Sequence, residues 1–299
     1  MKCDILKIIS LLLVFLIGFS LTGCVSSEGD YDDSAAIIER STLDYPANNG
    51  EFKYDVYTEY VSISKYIGDA TNVEIPSELE DLPVLSIRSE AFKDNTSIKS
   101  VTIPEPVYMI GSEAFRGCKS LKSINLSDTV KVLKSDCFRG CDSLQELILP
   151  KGVENIPSGM CSGCDSLYSV EIKESKYDES LSYTVSDSAF GNCPSLYSVY
   201  IPKRYTKIDG SAFDGSMDKL VIYGYGSGAI AKFCSENLID FVVLDAEKYK
   251  AIREESKKKY EQEVESRLAQ QESEISTGET ASEVASREKE TLDQELFGW

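Results

Sequence analysis

The fold class this sequence predicts is a β-rich (α/β-type) solenoid of about six 23-residue coils sharing a parallel sheet. Three observations predict it. Phe92, Phe115, Phe138, Cys161, Phe190 and Phe213 occupy one repeat position, spaced by 23, 23, 23, 29 and 23 residues. A Cys-x-x-Leu element follows in four copies: Cys118 to Leu121, Cys141 to Leu144, Cys164 to Leu167 and Cys193 to Leu196. Each leads into a short alternating run, as in Val101 and Ile103, Ile124 and Leu126, or Leu147 and Leu149. One such unit cannot bury its own apolar face, whereas stacked copies can, at about 4.8 Å per rung.

The elements follow in chain order. Residues 1–23 read as a targeting segment: Lys2 and Lys7 flank a short polar start, and Ile8 to Phe19 form an apolar run too short to span a bilayer. The run ends in Leu21-Thr22-Gly23-Cys24, which resembles the bacterial lipobox. That resemblance implies cleavage before Cys24, a diacylglyceryl group on its sulfur and acylation of the new amino terminus, two chains being what stable anchoring requires. An uncleaved signal anchor is the alternative. Residues 24–83 carry 14 acidic and 3 basic side chains. The Ser, Asp, Glu and Asn-rich part of that stretch, 24–50, reads as a flexible tether.

Residues 51–83 alternate (Phe52, Tyr54, Val56; Val61, Ile63) and read as a β cap before the repeats at 84–220. Within the repeats a third apolar position lies five residues before the phenylalanine: Ile87, Ile110, Leu133, Ile156, Val185 and Ile208. Gly-Cys pairs at 117–118, 140–141 and 163–164 read as turns. The fifth repeat carries a six-residue insertion within Glu174–Tyr183, and the last replaces its cysteine by Ser216. Residues 221–245 read as a closing helix–strand cap. Residues 246–275, rich in Glu, Lys, Arg and Gln, carry Tyr249, Ile252, Tyr260, Val264 and Leu268 as sparse apolar side chains, too thin a stripe for a coiled coil. They read as a single charged helix, with a partner-binding helix as the alternative. Residues 276–299 read as a disordered tail.

The pattern Ile-Gly-x-x-Ala-Phe-x-Gly-Cys-x-Ser-Leu-x-x-Ile-x-Leu at 110–126 resembles the BspA-type leucine-rich repeats of bacterial surface proteins. The resemblance covers about residues 52–245. It implies adhesion-like roles, an analogy of fold rather than a reading of a site.

Composition excludes much chemistry. The chain has no histidine, which removes Ser-His-Asp and Cys-His nucleophiles and histidine metal ligands. A net charge of −19 argues against a nucleic-acid partner. No cofactor, metal or enzymatic site is expected. Seven cysteines remain beyond Cys3 and Cys24: Cys118, Cys137, Cys141, Cys161, Cys164, Cys193 and Cys234. They read as buried small apolar groups, with disulfides between neighbouring coils, or a redox or metal role for Cys161-Ser-Gly-Cys164, as the alternatives.

The side chains that alternate with the inward apolars point outward. Tyrosine accumulates there towards the C-terminal coils, at Tyr168, Tyr197 and Tyr200, with Tyr177 and Tyr183 in and beside the insertion. Tyrosine offers large, rigid area with a polar tip. These five residues are therefore the candidate ligand-binding patch, the alternative being that the tyrosines simply cover the sheet face and the cap. The expected function is recognition of an extracellular protein or glycan by a monomeric protein lipid-anchored to the outer face of a bacterial membrane. The alternative is an assembly role in which the helix at 246–275 engages a membrane-associated partner.

Overall fold

The computed structural model describes residues 39–40, 51–175, 182–224 and 228–276. The segment 1–23, Cys24, Tyr177 and the tail from 277 lie outside them. Strand β1 (Glu39–Arg40) lies antiparallel on β2 (Phe52–Val56), which forms a hairpin with β3 (Val61–Tyr66). β1 lies within the acidic stretch 24–50 and pairs with the edge of the cap. β4 (Asn72–Glu74) and β5 (Glu78–Leu79) precede β6 (Leu82–Ile87). The coils then supply β7 (Ser100–Ile103), β8 (Met109–Ile110), β9 (Ser123–Leu126), β10 (Val132–Leu133) and β11 (Glu146–Leu149). They continue with β12 (Ser169–Ile172), β13 (Tyr183–Val185), β14 (Ser198–Ile201), β15 (Tyr205–Ile208) and β16 (Val221–Gly224). Helix α1 (Ala229–Glu236), β17 (Asp240–Val243) and helix α2 (Ala246–Ser276) complete the order.

Two ladders run along the stack. On the front, β4, β7 and β9 pair in parallel, as do β11, β12, β14, β16 and β17. The Gln145 N–H donates to Lys122 O at 3.3 Å and joins the two sets. One front strand follows each of the six repeat positions, the last of them, β16, falling within the expected closing cap, and β4 and β17 flank the six. On the back, the third apolar position forms its own column. Ile63, Ile87, Ile110 and Leu133 are successive partners, and Ile156, Val185 and Ile208 continue the series.

The phenylalanine position builds the centre. From Phe92 to Phe190, the residue at this position donates its N–H to the next coil, as in Phe92 to Ala114 O and Phe115 to Cys137 O, both 2.8 Å. Their rings stack, with centroids 4.7 Å apart for Phe92–Phe115, 5.6 Å for Phe115–Phe138 and 5.3 Å for Phe190–Phe213. The caps extend the column through Tyr66 and Phe233. Cys161 interrupts it. There the preceding position, alanine or cysteine in other coils, is Met160, and both residues are fully buried. A thioether side chain one position earlier returns volume that the missing ring removes, which keeps the interior dense.

The cysteine position has a specific task. The Cys118, Cys141 and Cys164 thiols donate to the carbonyls of Phe92, Phe115 and Phe138, one coil back, at 3.1 to 3.2 Å. Cys193 does the same to Cys161 O, and Ser216 repeats it with its hydroxyl on Phe190 O at 2.7 Å. A small donor is therefore what the position selects, because a buried carbonyl left unpaired is costly. The tight turn favours glycine: at Gly117, with φ of +71°, a Cβ would come within 2.2 Å of Asp94 Oδ1, and the equivalent Asp94 and Asn192 also adopt positive φ.

All seven cysteines among the described residues are free and buried. Burial pushes the Cys118 and Cys193 thiols up to about 12 and Cys234 up to about 11. Thiolate, the reactive form, is therefore scarce at neutral pH. A thiol reagent applied to native fragment 25–299 is expected to label none of the seven, and all seven once the chain is denatured without reductant. A denatured count that rises on adding reductant would instead reveal disulfides.

Candidate functional site

The front sheet presents three rows of outward positions. One comprises Lys99, Lys122, Gln145, Tyr168 and Tyr197, just before the strands. A second comprises Ser100, Ser123, Glu146, Ser169 and Ser198. The third comprises Thr102, Asn125, Ile148, Glu171, Tyr200 and Tyr223. Strand alternation puts the second and third rows on one face, because positions two apart point to the same side. The N-terminal half of this face is open, with Lys99, Thr102, Lys122, Ser123 and Asn125 exposed. Ser100 Oγ–H donates to Asn72 Oδ1 at 2.7 Å across two rungs. Lys99 and Lys122 sit on adjacent rungs and make no ion pair with another described residue.

The C-terminal half is covered, which corrects the reading of its tyrosines as an exposed patch. Tyr168 is 4% exposed, Tyr197 8% and Tyr200 0%. The cover is α2. It runs against the direction of the strands, from Tyr249 over Tyr200 and Tyr223 to Glu263 beside Tyr197 and Lys219. Tyr183 is placed elsewhere, half-buried on β13, where its ring meets Tyr205 at 5.9 Å in the two-stranded sheet β13–β15. Three of the five candidates therefore share a surface and Tyr183 does not.

The contacts under α2 are largely polar. Tyr249 is fully buried; its hydroxyl donates to Val170 O at 3.0 Å and lies 3.0 Å from Ser198 Oγ and 3.1 Å from Ser169 Oγ. Ser256 Oγ–H donates to Ser198 Oγ at 2.9 Å. Arg253 reaches two carboxylates, Glu146 at 2.7 Å through Nε and Glu171 through Nη1. Tyr260 stacks on Tyr168 with centroids 5.2 Å apart. Lys219 Nζ lies 2.8 Å from Glu263 and 5.6 Å from the Tyr197 ring centroid.

These groups titrate abnormally. Burial raises Glu146 above the usual carboxylate range, with Arg253 opposing it. Hydrogen bonding from Lys219 holds Glu263 below that range. Burial pushes the Tyr168 hydroxyl up to about 12 and raises Tyr197, Tyr223 and Tyr249 as well. No group of three or more cysteine, aspartate or glutamate side chains among the described residues is arranged to hold a metal ion. No helix among them is long and apolar enough to cross a membrane.

The sequence signal for the seat of α2 is a stripe that apolar periodicity overlooks. Tyr249, Arg253, Ser256, Tyr260, Glu263 and Arg267 follow one another at alternating steps of four and three. That is the seam spacing of a heptad, written in polar and aromatic residues.

Comparison with known proteins places the repeats. Residues 85–219 match the BspA type Leucine rich repeat region, in six copies. No curated protein matches the chain. Among solved structures it is similar to a leucine-rich-repeat protein of T. pallidum, TpLRR, at 23% identity and a TM-score of 0.47, covering 68% of this chain and 98% of that one. It is similar to the pneumococcal vaccine antigen PcpA at 19% identity and a TM-score of 0.53, covering 66% of this chain and 49% of the other. A leucine rich cell surface protein of Faecalibacterium prausnitzii matches at 25% identity and a TM-score of 0.44, with 59% of this chain and 53% of that one covered. The chain thus spans about half the length of the last two. Taken with the two ladders and the phenylalanine column, the six-copy match over residues 85–219 and the likeness to PcpA identify the fold as a leucine-rich-repeat stack.

Proposed function

We propose that this protein is a non-catalytic recognition protein, lipid-anchored through Cys24 at the outer face of a bacterial membrane, that adheres to an extracellular protein or glycan. Leucine-rich repeats of this type make protein-binding surfaces, and a rigid repeat sheet is suited to that task. The observation that carries the reading is the open half of the front face. In a chain of net charge −19 it presents hydroxyl and amide side chains beside Lys99 and Lys122. Such a face can hydrogen-bond sugar hydroxyls or a peptide backbone without a large desolvation cost. The assembly reading loses ground, because the helix it relies on is already seated on its own solenoid.

The test uses fragment 25–299 on an array of immobilised glycans and extracellular-matrix proteins. Specific binding is expected, and Ser123→Arg with Asn125→Arg on β9 should weaken it at least tenfold with the melting temperature unchanged. Binding to no probe, or binding indifferent to that pair, would sink the reading. For the anchor, mass analysis of the native protein's N-terminal peptide is expected to show an acylated Cys24, and an intact Met1 overturns it.

A further inference from the structure

Helix α2 is thinly attached for its length. Of the side chains described along it, Tyr249 and Ser256 alone are buried, and Ile252 packs partly against Tyr200 and Tyr223. Leu268 is 53% exposed. The helix carries its own support in Glu247–Lys250, Glu255–Lys259 and Glu263–Arg267 pairs, which favour the helical state without the sheet. What holds it down is a largely polar seam with few rings: the Tyr249 hydroxyl on two strands and its ring on Tyr200 and Tyr223, Ser256 on Ser198, Arg253 between Glu146 and Glu171, Tyr260 on Tyr168, and Glu263 with Lys219. Hydrogen bonds of this kind contribute little net stability each, because water competes for both partners. Small apolar burial with specific polar contacts is the composition of an exchangeable interface rather than of a core.

We propose that the tyrosine face over β12, β14 and β16 is a helix-receiving surface with α2 as its resident, displaceable occupant. The partner it fits is a helix with the same seam: an arginine set between Glu146 and Glu171, a tyrosine four residues before it and another seven residues after it. The argument for that chemistry is complementarity already realised on the surface. Two carboxylates await one guanidinium, hydroxyls of Ser169 and Ser198 await a tyrosine tip, and the Tyr168 ring awaits an aromatic ring. Residues Leu244 and Asp245 alone separate β17 from α2. The tethered helix therefore competes at high effective concentration, and an outside helix gains the seat only when α2 is weakened or outnumbered. This surface adds to the open half on which the proposed function rests. The two fail separately, because the probe here is a helix and not an extracellular ligand.

The probe is a fluorescein-labelled peptide of residues 246–276, titrated against fragment 25–299 and read by anisotropy. Arg253→Glu in the full fragment should expel the resident helix and leave the seat intact, raising peptide affinity at least tenfold over the unmodified chain. Adding Glu146→Arg and Glu171→Arg to the seat should abolish that gain. Amide exchange in the unmodified fragment guards against misfolded variants. Residues 249–263 are expected to exchange at least 100-fold faster than β12 and β14, since a cover that opens alone has a lower opening free energy than the stack. Exchange of α2 in step with those strands, or no peptide binding by a folded Arg253→Glu chain, overturns the proposal.

Discussion

Phe115→Ala is expected to lower the unfolding free energy of fragment 25–299 by about 3–5 kcal/mol, the usual cost of emptying a buried aromatic site. The ring is fully buried and lies between Phe92 and Phe138, so its loss opens a cavity bounded by two other rings. The backbone around it cannot close on that space. Phe115 N–H is bonded forward to Cys137 O, and Phe115 O accepts from the Cys141 thiol. Coils on both sides thus hold the turn open. Urea denaturation followed by circular dichroism measures the effect, with Phe115→Leu as a milder companion that refills part of the space. A loss below about 1 kcal/mol for the alanine variant would mean that the column is not what holds neighbouring coils together.

Raising the pH from about 9 to about 12 is expected to lift α2 from the front sheet, the second large effect. Free tyrosine ionises near pH 10. On this face burial raises Tyr168 to about 12 and raises Tyr197, Tyr223 and Tyr249 as well. The docked state therefore holds these protons more tightly than the undocked state. The stabilisation they provide is complete below about pH 10 and disappears as the pH climbs through the raised values. The first hydroxyl to ionise expels the helix and exposes the others, so tyrosinate absorbance should rise late and steeply, together with amide exchange in α2. Tyr249→Phe should flatten that rise and cost about 1–2 kcal/mol in docking, because Ser169, Ser198 and Val170 O lose a partner. Gradual titration near pH 10 with α2 still protected would defeat the prediction.

Much of the stack was legible because its signals are local and repeated. The phenylalanine spacing shows which residues meet, since stacking turns sequence period into spatial neighbourhood. The isoleucine position five residues earlier likewise marks the back ladder. The meaning of the cysteine position was half legible. Spacing put the four thiols in a column, but their shared acceptor, a carbonyl one coil back, depends on backbone direction. Cys161 reads as a defect until Met160 beside it is recognised as the return of lost volume. The tyrosine row was legible as a row and not as a covered one. Its burial depends on a segment about 80 residues further on, and Ser169 to Tyr249 is a contact that no local pattern encodes. The seam of α2 stayed hidden because hydrophobic periodicity weighs Arg253, Ser256 and Glu263 as solvent-facing.

The donor role of the cysteine column bears on how the protein matures. A sulfur that already satisfies a main-chain oxygen has no second use for its hydrogen, and pairing two such sulfurs would strip both oxygens of their partners. Oxidation would then weaken the stack instead of stapling it. The final form of these coils thus depends on keeping their sulfurs reduced, and burial is what shields them.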